Sequence, residues 1–120
     1  MERIIPHVTN ETARLRAVVL GLPDSLGPIP TLQETYDAKS YEAVSRGVFP
    51  SEADVCHEMQ CVLEVLERYG VRTLRPAPLT DYNQVFARDV AFTIDDTVFI
   101  SNLIPDRERE TEAFASSVFP

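Results

Sequence analysis

Positive charge is scarce in this chain, which has one lysine, Lys39, and 19 acidic residues for a formal net charge of −8. A nucleic-acid surface needs clustered cations to neutralise phosphates, so no nucleic-acid partner is expected. Cysteine is scarce too: Cys56 and Cys61 are too few for a disulfide framework, and a reduced, cytoplasmic chain is the expectation. No apolar run approaches the length of a membrane span. The opening Met1-Glu2-Arg3-Ile4-Ile5-Pro6 has no apolar segment of the kind a signal peptide carries, so no membrane partner is expected. Histidine occurs only at His7 and His57. A zinc site takes about four ligands, and Cys56, His57 and Cys61 do not supply them, so no metal and no cofactor is expected. Cys56 and Cys61 lie well apart around a helix and read as small packing thiols, with His57 and His7 at the surface. No Ser, Cys or His stands in a nucleophile–base–orienter arrangement. Repeats and low-complexity tracts are also lacking.

What is present suits one α/β domain over residues 1–120. The chain is 44% hydrophobic, enough apolar material for a core. Residues 1–12 form a lead-in. Leu15 to Leu20 reads as a first strand, and its Val18-Val19-Leu20 end suggests burial on both faces. Gly21 breaks it. Residues 22–30 hold three prolines and a glycine, which excludes a regular element. Thr31-x-x-Glu34 has the form of a capping box and opens a polar, partly helical segment in which Tyr36 and Tyr41 read as packing residues. Ser51 to Tyr69 is the clearest helix: Ser51 with Asp54 marks the N-cap, Val55, Met59, Val62, Leu63 and Leu66 recur on one face, and Gly70 stands at the C-cap. Val71 to Leu74 follows as a second strand, which makes a βαβ unit with parallel strands.

The most informative stretch is Asn83 to Asp106. Val90 to Ile94 and Thr97 to Ile100 flank Asp95-Asp96 and read as a hairpin of uncertain turn type. Arg88-Asp89 stands directly before it, and Pro105 starts another helix through Arg107, Glu110 and Phe114. A charged pair at the mouth of a strand needs a reason. From the residues alone two remain open: the pair neutralises charges elsewhere or sits at a solvated strand end, or Asp89 accepts a cationic ligand. A carboxylate is the natural partner of a planar guanidinium, because it takes two parallel N–H···O bonds.

The order Asn83-Gln84-Val85-Phe86-Ala87-Arg88-Asp89, hairpin, then Arg107-Glu108-Arg109-Glu110-Thr111 resembles the guanidine-modifying pentein superfamily: amidinotransferases, arginine deiminases and dimethylarginine hydrolases. Their first half carries an aromatic-x-Arg-Asp element with an Asn six residues before the Asp, a separation that Asn83 and Asp89 keep. The resemblance runs from Leu15 to about Phe114. It implies blades of a five-bladed β/α propeller, incomplete here, and amidino transfer or hydrolysis on an arginine-like substrate. In that family a Cys thiolate attacks the guanidinium carbon, and the amidino-enzyme intermediate passes to an amine or to water. Asp89 would be the catalytic carboxylate that orients the guanidinium. Asn83 would help place the substrate's polar end. Arg107 would either pair with a substrate carboxylate or be a solvated helix charge paired with Glu110. Arg88 would be a scaffold residue paired with an internal carboxylate. Residues 22–30 would form a lid or an ordinary surface connection. The family's catalytic Cys and His come after the matched region, so the expectation is an N-terminal portion that does not turn over alone. Unpaired sheet edges would favour homo-oligomers. The alternative is a non-catalytic α/β module that holds arginine or a related cation through Asp89.

Overall fold

Hydroxyl and carboxylate side chains set the start of the first two α-helices. The computed structural model describes residues 4–119; expectations that fall on Met1, Glu2, Arg3 and Pro120 lie outside them. Asp37 accepts a hydrogen bond from Ser40 N at 2.8 Å and opens α1, Ala38–Ser45. Ser51 Oγ accepts from Asp54 N at 3.2 Å, and Asp54 Oδ2 accepts from Ser51 Oγ at 2.6 Å; this reciprocal box opens α2, Glu52–Arg68. Both helices end in the same way. Gly47 and Gly70 adopt positive φ, and the next residue's N–H reaches back to close the last turn, Val48 to Ala43 O and Val71 to Leu66 O.

The close of α2 hands the chain straight to β2, Arg72–Leu74, which pairs in parallel with β1, Ala17–Val19. Val18 lies opposite Thr73, and the expected βαβ unit is formed. The expected hairpin is formed too: β3, Ala91–Ile94, runs antiparallel to β4, Thr97–Ile100, with Phe92 opposite Phe99. Of its two loop residues only Asp95 takes positive φ, which rules out a type I′ turn. Asp95 also exchanges both backbone hydrogen bonds with Val8, so the lead-in is tied to the hairpin tip.

Pro105 opens a short 3₁₀ turn, Pro105–Arg107, and α3, Arg109–Val118, follows. Glu110, Ala113, Phe114 and Val118 are buried on one stripe of α3. Val90, Phe114 and Val118 form the core, with Val19 and Leu74 packed on it from one sheet and Ala91 and Val98 from the other. Ala77 N donates to Ala113 O, and Ser117 Oγ donates to Arg75 O, so α3 also fastens the extended segment after β2. The chain is thus a small mixed α/β domain: among the described residues it has two two-stranded sheets and three α-helices.

The core centres on α3, and the apolar face read for α2 holds no fully buried residue. One expectation changes at this level. β1 is half-buried rather than covered on both faces, because its sheet has only two strands. No helix among the described residues is long and apolar enough to cross a membrane.

Candidate functional site

Asp89 ends a short 3₁₀ turn, Ala87–Asp89, and its N–H donates to Phe86 O at 3.1 Å. The segment before it is fixed from several sides. Asn83 Oδ1 accepts from Val85 N at 3.2 Å, a local Asx turn. Gln84 is 2% exposed; its Oε1 accepts from Leu79 N at 2.7 Å and its Nε2 donates to Ala77 O at 2.8 Å. Leu22 N donates to Gln84 O at 3.0 Å. A Cβ on Gly21 would collide with the carbonyl oxygens of Gln84 and Val85, so only glycine allows the end of β1 to pass this close.

On this base Asp89 meets a guanidinium from its own chain. Arg107 Nη1 donates to Asp89 Oδ2 at 3.0 Å. Arg107 Nε donates to Glu110 Oε2 at 2.7 Å, and Nη2 donates to Glu110 Oε1 at 3.3 Å. Nη2 also lies 3.4 Å from Phe86 O. Burial grades across the cluster: the side chains of Glu110, Arg107 and Asp89 are 3%, 15% and 40% exposed. Hydrogen bonding to Glu110, reinforced by Asp89 and opposed by burial, holds Arg107 charged even more firmly than usual. The three groups together carry one net negative charge.

Two of the sequence's three site residues therefore converge. Asp89 and Arg107 are in direct contact, whereas Asn83 is engaged in its own turn. Arg107 takes the Glu110 partner anticipated from the sequence, with Glu110 buried and Arg107 half-buried rather than solvated, and it also donates to Asp89 and Phe86 O. Arg88 differs from expectation. Its side chain is 90% exposed, and among the described residues its ion pair is with the neighbouring, half-exposed Asp89 Oδ1 at 3.6 Å rather than with a buried carboxylate. Arg107, at the end of the 3₁₀ turn before α3, makes the closer contact with Asp89, at 3.0 Å.

No match to this chain is found among protein-family models, curated proteins or solved structures. The site is accordingly read from its own geometry.

Tyr36 belongs to the surroundings of the cluster. Burial pushes its hydroxyl pKa up; the Arg107 charge pulls it back and Glu110 adds to the rise. The sequence offered Tyr36 only as a packing residue, since no local pattern links it to residue 107. The 22–30 loop lies elsewhere. It lines one wall of an open cleft of about 570 Å³ with Asp24, Ser25 and Gly27, opposite Glu52, Cys56 and Asp81. Leu26 N donates to Glu52 Oε1 at 2.9 Å and Tyr82 N to Ser25 O at 3.0 Å, which holds the loop at both sides. Asp89 does not line that cleft. Burial, with Asp24 and Glu52, pushes the Cys56 thiol pKa up, the opposite of what an activated nucleophile needs. Among the described residues no group of three His, Cys, Asp or Glu is placed to hold a metal ion.

Proposed function

We propose that this chain is the N-terminal, guanidinium-holding portion of a guanidino-group-modifying protein of the pentein type, built as blades of its β/α propeller. Asp89 is the carboxylate that receives the guanidinium of an arginine-like substrate. The observation that carries this reading is the half-exposed Asp89 carboxylate, which takes one charge-assisted hydrogen bond from Arg107 at 3.0 Å through Oδ2 and meets only the exposed Arg88, at 3.6 Å, through Oδ1. A carboxylate that accepts a guanidinium N–H at 3.0 Å has the geometry needed to take another such group. Its 40% exposure leaves Oδ1 approachable, with the exposed Arg88 3.6 Å away as a weak competitor. Asp89, Arg107 and Glu110 leave one net negative charge, which the exposed Arg88 offsets from 3.6 Å.

Asp89 would fix the guanidinium plane and disperse its charge, which sets up the attack geometry for a thiolate. Glu110 and Arg107 act behind it as positioning residues. Asp89, Arg107 and Glu110 include no thiol, and the Cys56 thiol pKa is raised rather than lowered, so the role proposed for this cluster is to hold the guanidinium. Calorimetric titration with L-arginine tests the reading. Heat from the wild-type chain that disappears in Asp89→Ala is expected; equal heats in both would end it.

A further inference from the structure

Asp89 already holds a guanidinium, and that fact bears on how a ligand would reach it. Arg107 grips its two carboxylates unequally. Glu110 takes two N–H groups, at 2.7 and 3.3 Å, and is 3% exposed. Asp89 takes one, at 3.0 Å, and is 40% exposed. Charge-assisted bonds strengthen with burial and with two-point geometry, so the Asp89 contact is the weaker end. Arg107 also cannot withdraw completely, because Glu110 would be left buried and unpaired.

We propose that Arg107 is a resident competitor for Asp89: its Nη1 occupies the carboxylate until the guanidinium of an arginine-like ligand displaces it, while its Nε remains on Glu110. This rests on the Asp89 reading above. The guanidinium is a rigid plane, so the displaced group pivots about Nε, held by Glu110 Oε2 at 2.7 Å, and the longer 3.3 Å contact from Nη2 to Glu110 Oε1 opens with it. Binding is therefore weakened by the fraction of time that Asp89 is free. The same contact keeps the carboxylate oriented and partly neutralised when no ligand is present.

The test uses the 120-residue chain and methylguanidine as the probe, followed by calorimetry. Arg107→Met/Glu110→Met removes the competitor and its anchor together, so net charge is unchanged and no buried carboxylate is orphaned. Affinity about tenfold higher than wild type is expected, as for a site that is free about a tenth of the time in wild type. Asp89→Asn in that background should remove the gain. Binding seen only in the double variant also supports the proposal. Wild-type binding with no gain in the double variant overturns the competition and leaves the Asp89 reading intact. No binding by either protein overturns both. If the double variant does not fold, the arginine side-chain ¹⁵N spectrum of the wild type decides. Methylguanidine should release the Nη1 protons of Arg107 and leave its Nε–H held; an unchanged spectrum at saturation contradicts displacement.

Discussion

At the scale of single residues, the molecule places its most consequential charge where the sequence shows an ordinary helix position. Glu110 is 3% exposed and holds Arg107 at 2.7 Å. Truncating one partner of a buried pair leaves the other uncompensated, so Glu110→Ala should lower unfolding free energy by about 3 kcal/mol in urea titration. Arg88→Ala, at a 90% exposed side chain, should change it by less than about 0.5 kcal/mol. Reversed magnitudes would show that the load lies on Arg88. The sequence made Asp89 and Arg107 legible, because a charged pair before an apolar strand and an Arg-rich turn are local patterns. Glu110 was visible only as a partner one turn away, and its burial was not legible, since the face of α3 that turns inward is set by the hairpin and β1. Gln84 was missed for the same reason: nothing local marks a glutamine that satisfies Ala77 and Leu79 across a loop.

At the scale of elements, local signals were enough wherever the element closes on itself. Ser51, Asp54 and Gly70 gave α2 almost to the residue, since caps are satisfied within a few positions. Ser51→Ala should therefore cost about 1 kcal/mol. Hydrogen bonds from Ser40 and Ser51 hold Asp37 and Asp54 below their ordinary value of 3.8. Because the folded-state pKa is the lower one, this support is complete above 3.8 and fades as pH falls through the folded-state values. Urea midpoints should hold as the pH is lowered to 3.8 and drop below it; a flat profile would mean that the caps contribute nothing. Gly21 was legible as a breaker but not as a contact point, because the 84–85 backbone that crosses it is distant in sequence. Gly21→Ala must displace those carbonyls and should cost about 1–3 kcal/mol.

The whole molecule is loosely closed. Its Cα radius of gyration is 15.5 Å, against roughly 13–14 Å for a compact chain of this length. Among the described residues seven hydrophobics are buried, while seventeen large ones are exposed, including the stacked Phe92–Phe99 pair on the hairpin. The 44% hydrophobic composition suggested a larger core, but composition does not reveal that two two-stranded sheets leave their outer faces and edges uncovered. Concentration-dependent self-association is therefore expected by light scattering, with a broad thermal transition. A monomer at all concentrations with one sharp transition would contradict this. The parallel unit and hairpin were readable because each pairs strands that follow one another in chain order, whereas the placement of α3 across both sheets is a long-range outcome.

The assignment of Asp89 as the guanidinium acceptor is tested most directly by ¹³C-carboxyl NMR of aspartate-labelled chain during methylguanidine addition. The Asp89 signal, identified by its loss in Asp89→Asn, should shift saturably while Asp24 and Asp81 of the acidic cleft stay in place. Saturable shifts at Asp24 and Asp81, with Asp89 unmoved, would place the cation in the cleft and contradict the assignment.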